Sequence, residues 1–385
     1  MFKTSCLKVL CCSVLASLCI FGCDGTVNSQ QRDIENACTH NIGVYQQGQC
    51  VCDDGSAISG EEALSLWTDD AAAKQALIAY MKQITQPGEK FIPIADRVAV
   101  FDLDGTLLFE TDPNYLDYNI YVYRVLEDPA YKDLATPEQI DVANKIVQVN
   151  ETGIVPEGLD VAHQIAYMEV FSGMTLPEYN RYVQDFIAQP APGYNGMKRG
   201  EAYYQPMLQV IRYLQANWFT VYIVSGTDRL QVRSAISGII DIPAHQVIGS
   251  DGTIVATGQP QSDNLNYDNL SYVYKKDDKL IRGGGFIVKN LKMNKVAVIA
   301  QEIGKQPVLS FGNSTGDASM AEYVISNNPY PSKAFMLLAD DLERENGNQA
   351  KADKMAKLCN ENGWVPISMK NDWKTIYGEG VTRKK

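Results

Sequence analysis

Short apolar runs alternate along the chain with stretches in which apolar residues recur every three or four positions. The runs are continuous and rich in β-branched or aromatic residues, at 98–101, 219–224, 308–311 and 334–338. Such runs are typical of strands that are buried on both faces. The recurring spacing, as in 207–214 and 296–303, predicts helices. Strands that alternate with helices predict an α/β fold with a parallel, doubly wound sheet.

The first run leads directly into two aspartates, Asp102 and Asp104, which are followed by Gly105 and Thr106. Open α/β sheets place their chemistry at the carboxyl ends of their strands, where these carboxylates would lie. Two acids this close repel each other unless a cation lies between them, and carboxylate oxygens suit Mg²⁺. An acidic turn without a ligand is the alternative, because Asp-Gly is common turn chemistry.

Two later strands also end in polar residues. Residues 219–227 end in Ser225, Gly226 and Thr227. A serine hydroxyl at a strand tip can donate to a phosphate oxygen, and glycine lets the backbone approach closely. Residues 308–317 run from a strand into a glycine-rich turn that contains Asn313 and Asp317.

In order and spacing, these segments resemble the motifs of the haloacid dehalogenase-like superfamily, in its phosphoserine phosphatase-like branch, over roughly residues 90–345. The resemblance implies a Rossmann-like, doubly wound core with a mostly helical cap domain. It implies that Asp102 is the nucleophile and Asp104 the general acid and base. It also implies phosphate binding by Ser225 and Gly226.

The resemblance further implies a Mg²⁺ ion whose ligands are Asp102, Asp104, Asn313 and Asp317. Asn313 departs from the final acidic motif of the family. Its amide can still offer a carbonyl oxygen, but one negative charge is lost from the metal site. Whether Asn313 or Asp317 contacts the ion first is left open.

The remaining family motif is a lysine near the start of the helix that precedes the last motif. Three lysines compete for this position: Lys289, Lys292 and Lys295. We expect Lys292 to bind phosphate, because it stands one turn before the apolar stripe of the helix, as the family lysine does.

Together these residues imply a Mg²⁺-dependent phosphomonoester hydrolase that acts on a small phosphorylated metabolite. Mg²⁺, Ser225 and the lysine would offset the charge of the phosphate dianion. Asp102 would form an aspartyl-phosphate, and Asp104 would protonate the leaving alcohol and later accept a proton from water. One alternative is a phosphotransferase that uses the same intermediate. Another is a non-catalytic surface lipoprotein that retains the fold, which Asn313 favours.

The segment 112–202 predicts a helical insertion between core parts at 61–111 and 203–385. Thr136 and Thr175 each precede a helix start with proline close behind and Gln139 or Glu178 reaching back. By resemblance, the insertion is a cap that closes over the site and selects the substrate. Glu110, at the cap junction, would favour a cationic alcohol phosphate such as phosphoserine or phosphocholine. An acid there is also a common feature of helix N-termini.

Beyond the second motif, residues 272–281 predict a β-hairpin with a charged tip, and the glycines at 283–285 predict a flexible loop. The last core strand is predicted at 334–338, before a polar helix that contains 351–357.

The N-terminus predicts a bacterial lipoprotein signal. Lys3 and Lys8 precede an apolar stretch at 9–21, and residues 20–23 resemble a lipobox. We expect cleavage of residues 1–22, lipid on Cys23, and a lipid anchor at a membrane of the bacterial cell envelope, on its periplasmic or extracellular face. A plain secretory signal is the alternative.

Loss of the signal would leave Cys38, Cys50, Cys52 and Cys359 besides the lipidated cysteine. An even number suits an oxidising compartment, with residues 23–60 as a small stalk and the pairing left open. The net charge of −12 would become −14 when Lys3 and Lys8 are removed. Such a chain has no electrostatic footprint for nucleic acid. The expected partners are a small phosphomonoester and, through the anchor, a membrane; the oligomeric state is left open.

Overall fold

The computed structural model describes residues 44–46, 49–51, 60–260 and 268–384. Predictions for the signal peptide, Cys23, Cys38 and Cys52 lie outside these residues. The chain divides into two compact units, Met1–Ala57 and Ile58–Lys385. In the first unit, strands β1 (Val44–Gln46) and β2 (Gln49–Val51) pair antiparallel.

The second unit holds the remaining strands. In chain order they are β3 (Val98–Phe101), β4 (Tyr194–Asn195), β5 (Thr220–Asp228), β6 (Val247–Ala256), β7 (Leu280–Val288), β8 (Leu309–Gly312), β9 (Lys333–Leu338), β10 (Val365–Ser368) and β11 (Thr382–Arg383). Seven of them form one sheet in the order β10-β9-β8-β3-β5-β6-β7. All neighbours in it are parallel except the antiparallel pair β6 and β7. Strands β4 and β11 pair separately.

The described α-helices of this unit, in chain order, are α1 (Gly60–Ala63), α2 (Ala72–Thr85), α3 (Leu116–Val122), α4 (Pro137–Thr152), α5 (Leu159–Val170), α6 (Leu176–Ile187), α7 (Gln205–Ala216), α8 (Arg229–Ile236), α9 (Met293–Val298), α10 (Ala318–Ile325), α11 (Gln349–Asn362) and α12 (Met369–Asp372). Helices α3 and α9 continue as π-helical turns, at Tyr123–Glu127 and Ile299–Ile303. Of the helices in the described part of the chain, none is long and apolar enough to cross a bilayer.

The centre of the sheet is packed from both sides, as the continuous apolar runs predict. All four residues of β3 are buried. The rings of Phe101, Phe311 and Phe335 stack in succession across β3, β8 and β9, with centroids 4.3 and 4.9 Å apart. From β3 the chain winds first toward β6 and later, from β8, toward β10. The prediction of a doubly wound, mostly parallel α/β sheet is confirmed.

The segment between β3 and β5 is mostly helical, and both predicted helix starts are confirmed. The Thr136 hydroxyl accepts the Gln139 backbone N–H at 3.3 Å, and the Gln139 side chain accepts the Thr136 N–H at 3.2 Å. Thr175 and Glu178 form the same reciprocal cap at the start of α6. Each cap satisfies backbone N–H groups that a helix start leaves without partners.

The predicted hairpin at 272–281 is wrong, and the glycines at 283–285 do not form a loop. Leu280–Val288 is strand β7, which pairs with β6. A Cβ at Gly283 would lie 2.5 Å from Thr253 Oγ1, and the Gly285 N–H donates to the same hydroxyl at 2.9 Å. The glycines therefore let two strands approach around the Thr253 side chain. Strand β10 was not predicted from its short run. Cys359 is a buried free thiol.

Candidate active site

The predicted site residues follow two neighbouring strands. Asp102 comes directly after β3, and Asn313 comes directly after β8. The Asp102 N–H donates to the carbonyl of Phe311 at 2.9 Å, which aligns the two strand ends. The connections leave β3 and β8 toward opposite edges of the sheet, so a crevice opens between these strand ends, where doubly wound folds bind their ligands.

Lys295 joins the two strand ends. Its Nζ donates to Asp102 Oδ1 at 2.6 Å and to Asp317 Oδ1 at 2.6 Å, and the lysine is completely buried. Burial alone would lower the pKa of Lys295, but the two carboxylates outweigh it and raise the pKa to about 12. The ammonium group is therefore a permanent positive charge at the floor of the crevice.

The sequence favoured Lys292 for this position, whereas the structure brings Lys295 to the carboxylates. Helix α9 begins at Met293, so Lys295 lies in its first turn and points inward. Lys292 precedes the helix at φ 54°, where its N–H donates to the Gly316 carbonyl at 2.8 Å. Its exposed side chain lies on the rim of the crevice.

The two carboxylates bound by Lys295 have different surroundings. Burial, followed by repulsion from Asp317, raises the pKa of Asp102 to about 7 against the opposing effect of Lys295. Its second oxygen, Oδ2, has only a long contact of 3.5 Å from the Thr106 hydroxyl. Asp317 Oδ2 accepts the backbone N–H groups of Asn313 and Ser314, at 3.2 and 3.1 Å. Asp317 is thus held on both oxygens, while Asp102 keeps one oxygen available to the crevice.

Asp104 is positioned by a residue that the sequence analysis did not single out. The Thr227 hydroxyl donates to Asp104 Oδ2 at 2.7 Å. Asp104 Oδ1 is buried and has no hydrogen-bond partner among the described residues. Burial first, then the charges of Asp117 and Asp102, raise the pKa of Asp104 well above its usual range. A raised pKa makes a carboxyl hold its proton more readily, which suits general acid catalysis.

Ser225 and Gly226 occupy the end of β5 but differ in their access to the crevice. Gly226 and Thr227 line it, whereas Ser225 is completely buried and is not one of its lining residues within the described chain. The Ser225 Oγ instead accepts the Thr227 N–H at 3.0 Å. A Cβ at Gly226 would come within 2.7 Å of the Leu291 side chain. In the sequence, the feature that could have identified Thr227 as a site residue is its hydroxyl, which directly follows Gly226 at the end of the strand.

Asn313 lies against the turn that carries Asp104. Gly105 in that turn has φ +74°, and a Cβ there would lie 1.9 Å from Asn313 Nδ2. Both the backbone angle and the close approach require glycine. Asp102, Asp104 and Asn313 therefore all face one crevice.

These side chains fit a hard cation by donor type. Within the described residues, no three His, Cys, Asp or Glu side chains are grouped to hold a metal ion. The crevice does offer the orphaned Asp104 Oδ1, the carboxylate of Asp102 and the amide of Asn313. Oxygen ligands of this kind, completed by water, suit Mg²⁺. Asp317 also lines the crevice, but Lys295 and the backbone of its own loop already bind its two oxygens.

The crevice widens into a cavity of about 580 Å³ beneath the helical segment. Tyr115, Asp117 and Tyr118 of that segment line it, together with Lys289 and Lys292. Glu110 also lines the cavity, but its Oε1 already accepts the Tyr115 hydroxyl at 3.0 Å and Lys351 Nζ at 3.2 Å.

No protein-family model matches the chain, and no curated protein matches it. Similar solved structures include cytosolic 5'-nucleotidase IIIB bound to cytidine, at 12% identity and a TM-score of 0.47, covering 82% of this chain and 93% of that one. A functionally unknown protein from Anaerococcus prevotii DSM 20548 is similar at 12% identity and a TM-score of 0.46, over 79% of this chain and 94% of that one. A substrate-bound phosphoserine phosphatase is similar at 13% identity and a TM-score of 0.34, over 71% and 92%.

Proposed function

We propose that this protein is a Mg²⁺-dependent phosphomonoester hydrolase that works through an aspartyl-phosphate on Asp102. The observation that supports this most is the placement of Asp102 between a buried ammonium group and an open crevice. Lys295 holds Oδ1 at 2.6 Å, which leaves Oδ2 free to attack. The sequence resemblance and the doubly wound sheet favour the same chemistry.

Charge compensation comes first, because carboxylates repel a phosphate dianion. Lys295 supplies one positive charge at the floor of the crevice. Asp102, Asp104 and Asn313 would hold Mg²⁺, which supplies charge neutralisation at the phosphoryl oxygens. The backbone of Gly226 lines the crevice and is proposed to approach the phosphate, with Ser225 bracing Thr227 behind it.

Two displacements at phosphorus then complete the reaction. Asp102 Oδ2 forms a bond to phosphorus while the ester P–O bond breaks, and the leaving alkoxide takes the proton of Asp104. Water next attacks the aspartyl-phosphate, gives its proton to Asp104, and releases inorganic phosphate and the Asp102 carboxylate. The raised pKa of Asp104 suits the first role, and Thr227 holds Asp104 in position for both.

The deciding experiment measures turnover of para-nitrophenyl phosphate by the full chain, with and without Mg²⁺. Asp102→Asn should lower kcat by about 10³-fold or more. The exposed Asp185, replaced in Asp185→Asn, is the matched control. Acid-quenched protein should carry phosphate on the peptide that contains Asp102. Substantial turnover by Asp102→Asn would contradict the nucleophile assignment.

Two other outcomes would redirect the proposal. A phosphorylated product from an added acceptor alcohol would favour a phosphotransferase. No turnover of any ester in the presence of Mg²⁺ would favour a non-catalytic surface protein. Attachment to the bacterial envelope through a lipid on Cys23 stays a prediction from the sequence.

A further inference from the structure

Two oppositely charged side chains line the cavity beside Asp104, and the proposed reaction uses neither. Asp117 belongs to α3, and Lys289 follows directly after β7. Their side chains are only 5% and 12% exposed, yet Lys289 Nζ lies 3.8 Å from Asp117 Oδ2, too far for a direct hydrogen bond. Buried charges normally pair closely because desolvation is costly. Since these two groups do not form a direct hydrogen bond, a ligand could bind between them or beside them.

The surroundings of the pair hold both groups in place, and backbone N–H groups at Asp117 and Tyr118 also bind the Asp117 carboxylate. Gln164 Oε1 accepts from Lys289 Nζ at 3.0 Å and holds the lysine in place. His163 lies behind Asp117, with Nδ1 3.9 Å from Asp117 Oδ2, and is completely buried. Burial lowers the pKa of His163 well below its usual range, so the ring is neutral and does not compensate the carboxylate.

The pair is close to the bond that the proposed reaction breaks. Asp117 and Asp104 line the same cavity, and after burial the Asp117 charge is the largest influence that raises the pKa of Asp104. In the proposed mechanism, Asp104 protonates the ester oxygen. The carbon atoms attached to that oxygen would then lie in the cavity that Asp117 and Lys289 also line.

From this arrangement, and resting on the proposed phosphatase function, we propose that Asp117 and Lys289 bind the leaving group and select a neutral polyhydroxy alcohol. A hydroxyl can donate to Asp117 and accept from Lys289 at once. The ammonium group of an amino alcohol would gain the same carboxylate but would be repelled by Lys289. Glu110 would add little attraction for such a cation, because Lys351 and Tyr115 already bind its carboxylate.

The test compares esters that differ in the polar groups of the leaving alcohol, and the variants control for differences in leaving-group basicity. Glycerol 1-phosphate is paired with n-propyl phosphate, and phosphoethanolamine with ethyl phosphate. For the wild type, kcat/KM for glycerol phosphate should exceed that for propyl phosphate by about 100-fold. Asp117→Asn should lower this ratio about tenfold or more, and Lys289→Met should lower it as well. Lys354→Met, at a rim lysine, should leave the ratio unchanged.

The same four esters are titrated by calorimetry into Asp102→Asn, which separates binding from turnover. A binding preference for glycerol phosphate in Asp102→Asn, together with no turnover of any of the four esters by the wild type, would support the subsite and contradict the proposed hydrolase. Turnover with equal ratios in the wild type, Asp117→Asn and Lys289→Met would overturn the subsite while leaving the hydrolase intact. A preference for phosphoethanolamine that Asp117→Asn removes would overturn the choice of a neutral alcohol. Because Asp117 is buried, Lys289→Met decides the question if Asp117→Asn does not fold.

Discussion

Lys295 Nζ donates to Asp102 Oδ1 at 2.6 Å and so ties the first turn of α9 to the carboxyl end of β3. The same nitrogen also binds Asp317, so one buried cation serves two buried carboxylates. Removing the cation would leave two acids facing each other in a site with little solvent. Such a contact links the stability of the fold to the chemistry of the site.

We predict that Lys295→Met lowers the free energy of unfolding by about 3–5 kcal/mol, because it leaves buried carboxylates uncompensated. Turnover should be lost in the fraction that remains folded. Lys292→Met, three positions earlier at an exposed side chain, should change the free energy of unfolding by less than about 0.5 kcal/mol. Urea denaturation of both variants at neutral pH measures the difference. Equal stability of the two variants would contradict the structural role of Lys295.

Thr227→Val should lower kcat by about 10- to 100-fold, because a hydrogen bond to an ionisable carboxyl is typically worth 1.5–3 kcal/mol. The lost contact is the 2.7 Å bond from the Thr227 hydroxyl to Asp104 Oδ2. Thr227→Ser keeps the hydroxyl and should restore most of the activity. Steady-state kinetics across a pH series should also show a displaced acidic or basic limb in Thr227→Val alone. An unchanged pH profile would leave Thr227 with a packing role only.

A site residue could be predicted from the sequence where its position is fixed by the end of a strand. Asp102 and Asn313 each follow an apolar run, and parallel strands bring such ends together whatever the details of packing. Lys289, Lys292 and Lys295 could not be separated by spacing. Their directions depend on where α9 begins and on the positive φ of Lys292.

The antiparallel strand β7 lay beyond prediction for a different reason. Its glycines look like a loop unless the partner strand is known, because their role is to accommodate Thr253 of β6. The charged residues before it suggest a local hairpin, whereas the actual pairing is with β6, the preceding strand, which begins to pair at Ala256 with Leu280. Pairing across such a connection leaves no signature within the β7 segment itself.

Gly105→Ala should destabilise the protein and raise the Mg²⁺ concentration needed for half-maximal activity. A Cβ at Gly105 would lie 1.9 Å from Asn313 Nδ2, so the proposed ligand must move. Gly153 has a similar φ of +69° with no atom within 4 Å of its Cβ position. Gly153→Ala should therefore show only the backbone cost of about 1–2 kcal/mol. Thermal unfolding and Mg²⁺ titration of both variants separate the effect of the contact with Asn313 from the effect of the backbone angle alone. Equal losses of stability and equal Mg²⁺ requirements in the two variants would contradict the prediction.

Asn313→Asp should lower the half-saturating Mg²⁺ concentration by about tenfold, because ligand charge count tunes the affinity of oxygen sites for divalent cations. Chelation of Mg²⁺ should abolish turnover in both proteins, and readdition should restore it. Asn144→Asp adds the same charge at an exposed position of α4 and controls for the net charge of the chain. An unchanged Mg²⁺ requirement in Asn313→Asp would remove Asn313 from the proposed ligand set.

Glu345 makes the stability of the fold depend on pH. It is buried and accepts hydrogen bonds from Tyr194 at 2.8 Å, Tyr204 at 3.2 Å, and Tyr377. Burial outweighs these bonds and raises the pKa of Glu345 from 4.5 to about 7. Between these two values the folded state binds more protons than the unfolded state, so stability falls as pH rises and then levels off above about pH 7.

The loss attributable to Glu345 should reach about 3 kcal/mol, since each pKa unit corresponds to about 1.4 kcal/mol. Glu345→Gln cannot ionise, so its free energy of unfolding should fall less between about pH 4.5 and pH 7. The difference between wild type and Glu345→Gln, measured by urea denaturation at each pH, isolates this carboxyl from the other groups that titrate. Parallel curves for the two proteins would mean that Glu345 is already charged in the folded state at acidic pH, and that the three tyrosine hydroxyls compensate its burial fully.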